Sequence, residues 1–294
     1  MLHALDSTVI AVDGGGTHCR LAAASDAGVT VVEVGSSNVS TDFDAALFEI
    51  NEGLRDLSGK TGLSTDELAG LPAFLGLAGV TGPDIGNRVK DALPFLNATV
   101  ADDRPAALRG ALGDQDGVVA HCGTGSFVAA RIEGETRLAG GWGPVLGDEG
   151  SAQWVGRKAL ALTLETLDGR HEESELGDAF LDRFGGPAKI VAFAGTAQPS
   201  EFGALAPLVT SAAQNDDGMA MLVLQLAALD VAQAARDIGW VPGMPICLTG
   251  GIGPHFAKYL PIEIQNGIAS PMAEPLAGAI ALAQELRREV AHDG

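Results

Sequence analysis

The order of apolar and polar residues begins with short runs rich in β-branched residues, each ended by glycine or aspartate. Apolar residues at helical spacing follow these runs. The first run ends at Asp13 before a set of glycines, and two more such runs come directly after it. Short runs separated by turn residues predict strands joined by tight turns. We predict strands at residues 8–12, 21–24 and 29–34.

Apolar residues next recur three or four positions apart, which is the spacing of one helix face. This set follows Thr41 and predicts a helix: Leu47, Ile50, Leu54 and Leu57. Similar signals predict four more elements: a short helix with a capping box of Ser64 and Glu67, a strand at 71–77, a helix at 83–93 and a strand at 98–101.

The arrangement of strand, Gly/Thr turn, strand and strand occurs a second time from Gly117 to Gly140. The two copies share little sequence identity, so the repeat is one of pattern only. The chain is then mainly helical to about residue 235, and a strand at 245–248 and an amphipathic helix at 274–290 follow.

The repeat divides the chain into two predicted α/β domains, residues 1–112 and 113–294. We expect the closing helix to pack back on the first domain. A length of 294 residues, 46% of them hydrophobic and 19% charged, suits two globular domains of medium size. The 40 glycines indicate tight turns and places where backbone approaches a ligand.

The formal net charge of −20 argues against nucleic acid and anionic membrane surfaces as partners. Both favour clustered Lys and Arg, whereas the 18 basic residues here are outnumbered by 38 acidic ones. The start of the sequence lacks the basic and apolar regions of a signal peptide, and we find no run of ~18 apolar residues. We therefore expect a cytoplasmic protein.

Three cysteines, Cys19, Cys122 and Cys247, are widely spaced. Their odd number and the lack of zinc-type spacing predict reduced thiols. His121 and Cys122 directly precede a glycine turn, and we interpret them as residues that fill a strand.

Asp13-Gly14-Gly15-Gly16-Thr17 is the first candidate for chemistry. Glycines let main-chain amides approach a polyanion, and the threonine hydroxyl adds a donor. A carboxylate at a strand end can bind hydrated Mg²⁺, which prefers oxygen ligands. An ordinary Asp-Gly hairpin turn is the alternative interpretation.

Gly123-Thr124-Gly125-Ser126 is a second turn of this kind. Two such turns, each opening a comparable β unit, favour hairpins that grip one phosphate chain from both sides. In so acidic a chain, backbone N–H groups, helix N-termini and Mg²⁺ would hold phosphates in place of a basic patch.

Gly250-Gly251 is a third motif, directly after a predicted strand. Glycines there let a flat ring lie against the backbone. The late position of the motif and the Pro254 that follows argue against a Rossmann first turn. A structural turn is the alternative interpretation.

These three motifs, in this order, resemble the phosphate-1, phosphate-2 and adenosine motifs of the sugar kinase, heat-shock ATPase and actin superfamily. The stretch at 140–151, GGWGPVLGDEGS, resembles its BadF/BadG/BcrA/BcrD-type branch, which contains N-acetylglucosamine and glucosamine kinases. The resemblance runs from Ile10 to about Leu286. It implies an α/β fold of two RNase H-like (actin-like ATPase) domains with an interdomain cleft for ATP and sugar.

The resemblance also implies transfer of the γ-phosphoryl group of ATP, with Mg²⁺, to the 6-hydroxyl of N-acetylglucosamine or glucosamine, and we expect a homodimer. The resemblance assigns a role to each residue of this sequence that matches a position of the family's motifs. The implied residues are Asp13 for Mg²⁺; Gly15, Gly16, Thr17, Gly123, Thr124 and Gly125 for phosphates; Gly250 and Gly251 for adenosine; Asp103 as catalytic base; and Asn38, Gly141, Trp142 and Asp148 for the sugar.

The candidate base departs from the family pattern, which usually shows Asn-Asp-Ala where this chain has Asp102-Asp103-Arg104. Strand alternation sends the two acids to opposite sides, and it stays open which one faces the cleft. Arg104 either pairs with Asp102 or lies near the reacting phosphate. Asp103 is alternatively a helix cap.

Two of the implied sugar residues each have a second interpretation, Asp148 as a cap for the helix containing Trp154 and Trp142 as a core residue. Two further functions also stay open. An iron–sulfur reductase activator of the same branch would need suitably placed thiolates, and a regulatory sugar sensor would need no catalysis. We favour N-acetylglucosamine narrowly because Trp142 offers an apolar wall, whereas the abundant acids leave room for a free amine.

Overall fold

A computed structural model of the chain describes residues 7–292, which form two compact units. The first unit runs to Gln115 and resumes at Pro271, and the second is Asp116–Ser270. The sequence predicted a boundary after residue 112 and placed the closing helix within the second range. In the structure that helix belongs to the first unit, because its apolar face packs on the first sheet.

The two units share one strand order, and helices connect or cover the strands. In chain order they are β1 (Val9–Gly14), β2 (Cys19–Ser25), β3 (Gly28–Val34), α1 (Phe43–Thr61), α2 (Thr65–Ala69), β4 (Pro72–Leu77), α3 (Pro83–Ala92), β5 (Asn97–Ala101), α4 (Arg104–Leu112), β6 (Gly117–Cys122), β7 (Ser126–Ile132), β8 (Glu135–Gly140), α5 (Ala152–Leu167), α6 (Glu175–Phe184), α7 (Pro187–Ala194), α8 (Pro199–Gly203), α9 (Ala206–Gln214), α10 (Gly218–Asp237), β9 (Ile246–Thr249), a 3₁₀ helix (Gly253–Tyr259), α11 (Ile262–Gln265) and α12 (Pro275–His292). Each predicted strand overlaps one of these strands.

The sheet of the first unit has the strand order β3-β2-β1-β4-β5. The strands β1, β2 and β3 pair antiparallel, and β4 and β5 add parallel to β1. This is the RNase H-like arrangement, so the predicted fold class is confirmed here. Side chains alternate between two cores: Ile10 and Val12 pack on the side of α1 to α3, whereas Val9 and Ala11 pack on the side of α4 and α12.

Local capping signals operate as the sequence predicts. Ser64 and Glu67 form both bonds of a capping box at the start of α2. The side chain of Asp42 accepts a hydrogen bond from the Ala45 N–H and begins α1. Such bonds satisfy N–H groups that a first helical turn leaves without partners.

The sheet of the second unit has the order β8-β7-β6-β9, which repeats β3-β2-β1-β4. Again the first three strands are antiparallel, and β9 runs parallel to β6. The position that β5 takes in the first sheet is represented by one parallel bridge, from Ile246 to Ile268. The pattern repeat seen in the sequence is therefore a structural repeat.

One helix of the second unit, α10, is long and apolar enough by length and composition to cross a membrane, and half of its apolar window is buried. Its buried face includes Val223, Ala227 and Val231 and belongs to the main core of the unit. Such burial is typical of a core helix.

Candidate active site

Two acidic residues of the first unit, Asp13 and Asp103, lie at the carboxyl ends of parallel strands in one sheet. Asp13 lies opposite Gly76 of β4, and Gly76 lies opposite Ala101, the last residue of β5. Asp103 follows two positions beyond that strand end. A side chain at Gly76 would be 3.4 Å from Ala106 of α4, so glycine leaves room between β4 and the helix that Asp103 precedes.

Asp13 has a basic partner that the sequence analysis did not identify. Arg20, opposite Asp13 in the β1–β2 pair, donates a hydrogen bond of 2.7 Å from Nη2 to Oδ2 of Asp13. Its Nη1 donates to Glu274, directly before α12. Burial raises the pKa of Asp13, the bond and charge of Arg20 lower it, and the charge of Glu274 raises it. Arg20 is therefore the counter-charge of this buried acid.

The adjacent acids Asp102 and Asp103 have different partners. Asp102 accepts three hydrogen bonds of 2.9 Å from Arg104, from its backbone N, Nε and Nη2. Arg104 therefore pairs with Asp102, one of the two arrangements that the sequence left open. Asp103 is at the N-cap position of α4, but its side chain makes no capping hydrogen bond. Asp103 therefore occupies the cap position of the alternative interpretation, but its carboxylate is not used in capping.

The environment of Asp103 makes it a stronger base than an ordinary aspartate. Burial, together with the negative charges of Asp102 and Asp13, raises its pKa to about 6. Such a carboxyl is mostly ionised at neutral pH and accepts a proton more readily than one with the usual pKa. Shifts caused by burial and like charge are typical of functional carboxyls.

The turn after β1 combines a packed glycine with an open one. Gly15 donates a hydrogen bond of 2.9 Å to the carbonyl of His18 and closes the turn. Gly14 has no room for a side chain, because a Cβ would lie 2.6 Å from Leu77 Cδ2. Gly16 and Thr17 are exposed. The backbone at the tip of this turn is accessible to a ligand.

Asn38 lies beside the tip of the same turn. Its Nδ2 is the atom nearest to a Cβ built at Gly16, at 4.0 Å. Its Oδ1 accepts hydrogen bonds from the N–H of Ser40 at 3.0 Å and from the hydroxyl of Ser40 at 2.8 Å. The loop thus holds the carbonyl end of the amide, and the donor end is turned toward Gly16.

The corresponding turn of the second unit follows β6. Gly123 donates to the carbonyl of Gly125 at 2.9 Å, and its own carbonyl accepts from the Ala152 N–H at 2.8 Å. A Cβ at Gly125 would lie 3.2 Å from Oδ2 of Asp148, so the carboxylate packs directly against the turn. Thr124 is exposed at the tip.

Asp148 supports this turn from a left-handed backbone conformation, φ +62°, with only 6% of its surface exposed. Burial raises its pKa, while hydrogen bonds from the backbone N–H groups of Ser126 and Gly143 lower it. Ser151 is the residue that caps α5, since its hydroxyl accepts from the Trp154 N–H at 3.3 Å. The alternative that Asp148 caps this helix is wrong.

Trp142 lies on the loop between β8 and Asp148, after Gly141, whose φ of +75° favours glycine. Its side chain is 66% exposed, so the core alternative for Trp142 is wrong. An exposed aromatic face with a polar N–H edge suits contact with a ligand that has both apolar and polar surfaces.

The two glycines after β9 have different surroundings. Gly250 has φ +79°, and a Cβ there would lie 2.3 Å from the carbonyl oxygen of Cys122. It packs on the peptide that begins the turn at Gly123. Gly251 is exposed, and a Cβ there would meet no atom within 4 Å. Gly250 therefore joins the two turns, and Gly251 leaves backbone open to a ligand.

Each unit gathers its own part of the candidate site. The first holds Asp13, its glycine turn, Asn38 and Asp103, and the second holds the other turn, the loop with Trp142 and Asp148, and the glycine pair after β9. Within residues 7–292, no group of three or more His, Cys, Asp or Glu side chains is arranged to hold a metal ion. A single carboxylate such as Asp13 nevertheless fits Mg²⁺, which commonly takes one or two carboxylates with waters and phosphates.

Comparison with known proteins identifies the family of the chain. The model of the BadF/BadG/BcrA/BcrD ATPase family matches residues 10–283. The chain belongs to the BadF/BadG/BcrA/BcrD ATPase family. This confirms the resemblance stated from the three motifs and the stretch at 140–151.

Several proteins are similar to this family member along most of its length. A glucosamine kinase of Vibrio cholerae is 27% identical over 289 residues, which cover 97% of this chain and 98% of that protein. An N-acetyl-D-glucosamine kinase of Dictyostelium discoideum is 29% identical over 255 residues, covering 78% and 77%. The structure of a candidate N-acetylglucosamine kinase from Chromobacterium violaceum is 34% identical with a TM-score of 0.83, covering 94% and 99%.

The cysteines of this BadF/BadG/BcrA/BcrD ATPase lie in the interior of the fold. Cys19, Cys122 and Cys247 are free and buried. Burial raises the pKa of Cys122 to about 12, and the pKa of Cys19 is likewise raised to about 12. Without a bound metal, these two thiols stay protonated at neutral pH.

Proposed function

We propose that this chain is an ATP-dependent amino-sugar kinase that transfers the γ-phosphoryl group of ATP to the 6-hydroxyl of N-acetylglucosamine or glucosamine. Asp103 is the observation that carries the proposal. Its carboxyl makes no capping hydrogen bond, has a pKa of about 6, and lies beyond the end of a strand in the same sheet as Asp13. Similarity to glucosamine and N-acetylglucosamine kinases over most of the chain supports the substrate class.

Asp103 is the proposed catalytic base. Its ionised carboxylate takes the proton of the sugar 6-hydroxyl as the hydroxyl oxygen attacks phosphorus. Asp102 is a weaker candidate, because both of its oxygens accept hydrogen bonds from Arg104. The negative charge of Asp102 raises the pKa of Asp103 and so favours proton uptake by Asp103.

The nucleotide is the ligand proposed for the glycine turns. ATP supplies the phosphoryl group, and Mg²⁺ supplies positive charge that offsets the phosphate oxygens. Gly15, Gly16 and Thr17 in one unit, and Gly123, Thr124 and Gly125 in the other, are the proposed phosphate-binding residues. Backbone donors suit a chain of net charge −20, which has few basic side chains to offer.

Two further contacts belong to the same proposal. Asp13 is the proposed residue for hydrated Mg²⁺; its Oδ2 is bonded to Arg20, and Oδ1 is the oxygen that it offers. Gly250 and Gly251 are the proposed adenosine residues. The open space at Gly251 supports this, since a flat ring needs backbone without a side chain in front of it.

The sugar is the ligand proposed for Asn38, Gly141, Trp142 and Asp148. The Nδ2 of Asn38 is a donor suited to a hydroxyl, and the exposed ring of Trp142 is suited to an apolar face or an acetyl methyl. Asp148 accepts two backbone bonds and retains acceptor capacity, because a carboxylate has about four lone-pair positions. We favour N-acetylglucosamine narrowly, with glucosamine next.

We also propose a cytoplasmic homodimer whose partners are ATP and an amino sugar, with no nucleic acid and no membrane surface. The strong negative charge supports the last two points. Size-exclusion chromatography with light scattering measures the mass of the assembly. A mass equal to one chain would overturn the dimer and leave the kinase proposal intact.

A coupled assay of ADP release over a panel of hexoses and amino sugars tests the activity. We expect turnover with N-acetylglucosamine or glucosamine and a 6-phosphate product identified by NMR. Gly125→Val adds a side chain where the phosphate must approach, 3.2 Å from Asp148 at its first carbon, and should weaken Mg·ATP binding far more than sugar binding. No ADP release with any amino sugar would overturn the proposal.

A further inference from the structure

His121 lies at the base of both glycine turns of the second unit. It pairs with Phe127 of β7 on one side and with Thr249 of β9 on the other. Its ring stacks on Phe127, with 5.0 Å between centroids and 17° between planes. Its Nδ1 is 3.1 Å from Oγ1 of Thr249. The imidazole is therefore held in one orientation by a stacking partner and a hydroxyl.

The other ring nitrogen of His121 points to the phosphate-2 turn. A Cβ built at Gly123 would lie 3.0 Å from Nε2, which sets the nitrogen beside the first residue of the turn. Within residues 7–292, Nε2 has no protein hydrogen-bond partner and is not among the fully enclosed unpaired atoms. The residue is partly exposed, and its Nε2 lies beside the turn.

The surroundings of the His121 ring determine its protonation state. Burial lowers the pKa of His121 to about 4, so the imidazole is neutral at physiological pH and carries a single N–H. The Thr249 hydroxyl can donate to Nδ1 or accept from it, and in the arrangement where it donates, the ring proton lies on Nε2. In this tautomer the nitrogen beside the turn is a hydrogen-bond donor, which is what phosphate oxygens require.

We propose that His121 is a nucleotide-binding residue whose Nε2–H donates a hydrogen bond to a phosphate of ATP held at the turn of Gly123 to Gly125. The inference rests on the proposed kinase function. It replaces the interpretation of His121 as a residue that only fills a strand. An uncharged side-chain donor extends the set of backbone donors that an acidic chain uses for a polyanion.

Three variants separate a donor from a packing role. His121→Gln keeps an N–H group near the position of Nε2, His121→Asn reaches only the position of Nδ1, and His121→Phe keeps the stacked ring without a donor. Titration calorimetry with Mg·ATP, AMP and sugar gives the affinities. We expect the Asn and Phe variants to bind Mg·ATP roughly tenfold or more weakly, as for loss of a hydrogen bond to a charged group. The Gln variant should stay within about threefold, and AMP and sugar affinities should be unchanged.

Nitrogen-15 NMR of histidine side chains supplies a second readout, the tautomer of His121 in the wild type with and without Mg·ADP. The proposal expects the proton on Nε2 and a shift of that resonance on nucleotide binding. His171→Gln, which changes an exposed pair with Glu165, is the matched control and should bind Mg·ATP like the wild type.

Equal Mg·ATP affinities of the Phe, Gln and wild-type proteins would overturn the role of His121 and leave the kinase proposal standing. Equal losses in all three variants, with lower thermal stability, would also overturn it, because the ring would then act by packing alone. A wild type that binds no Mg·ATP would overturn both proposals.

Discussion

The carboxylate of Asp13 and the guanidinium of Arg20 form a hydrogen-bonded ion pair of 2.7 Å across β1 and β2. The side chains are 15% and 28% exposed, so the pair is largely shielded from solvent. A shielded carboxylate without such a partner is much less stable than one in water. Arg20 therefore favours the ionised form of Asp13 at the site proposed for Mg²⁺.

Loss of this partner should give a pH-dependent loss of stability. Arg20→Met raises the pKa of Asp13 further, because burial and Glu274 already raise it and Arg20 opposes them. A carboxyl with a raised folded pKa destabilises the fold above its unfolded pKa of about 3.9, and the penalty fades as pH falls toward that value. We expect a loss of roughly 1–3 kcal/mol at neutral pH.

Urea unfolding at pH 8 and pH 5 measures this effect. The difference in the free energy of unfolding between wild type and Arg20→Met should be larger at pH 8 than at pH 5. Arg55→Met is the matched control, since Arg55 and its partner Glu52 are an exposed pair on α1 and should contribute little. A pH-independent difference would show that Arg20 acts through packing and not through the charge of Asp13.

Asp103→Asn tests the proposed base. The amide has the same shape but accepts no proton, so turnover should fall ~10²-fold or more. The variant should be as stable as the wild type or more stable, because burial and like charges disfavour the ionised carboxyl and its side chain caps nothing. Steady-state kinetics and thermal unfolding give the two readouts.

Asp102→Asn is the comparison for that experiment. It weakens the bonds to Arg104 and should lower stability, while turnover should fall less than about tenfold if Asp102 is not the base. A reversal of the two kinetic effects would make Asp102 the base.

The raised pKa of Asp103 predicts the acid limb of the pH profile. The base must be ionised to act, so kcat/KM should fall about tenfold per pH unit below a pKa of about 6. Carbon-13 NMR of labelled aspartate side chains, in the protein without substrates, checks that the titrating group is Asp103 and not ATP. A profile that stays flat down to pH 5 would contradict the assignment.

The adjacent glycines Gly250 and Gly251 should respond differently to alanine. Gly250→Ala forces a side chain to 2.3 Å from the Cys122 carbonyl at φ +79° and should lose roughly 1–3 kcal/mol or more of stability. Gly251→Ala meets no atom within 4 Å and should keep its melting temperature. In titration calorimetry, this variant should lower the affinity for ATP more than the affinity for sugar. Unchanged ATP affinity would remove Gly251 from the adenosine site.

Local signals of the sequence predict much of the fold. The apolar runs give the strands, and the spacing of Ile50 and Leu54 gives α1. The capping box of Ser64 and Glu67 gives the start of α2. These predictions hold because each depends on residues within a few positions of one another. The three motifs and the stretch at 140–151 also point to the family, which the family model over residues 10–283 confirms.

Pairs between distant segments are decided only by the tertiary structure. Glu274 reaches Arg20 across 254 positions, and Thr249 reaches His121 across 128. No periodicity or local motif encodes such contacts, because they form only when separate segments pack against one sheet. For the same reason the residues alone left open which of Asp102 and Asp103 faces the cleft. Packing bonds Asp102 to Arg104, whereas burial and nearby negative charges raise the pKa of Asp103, which makes Asp103 a stronger base than an ordinary aspartate.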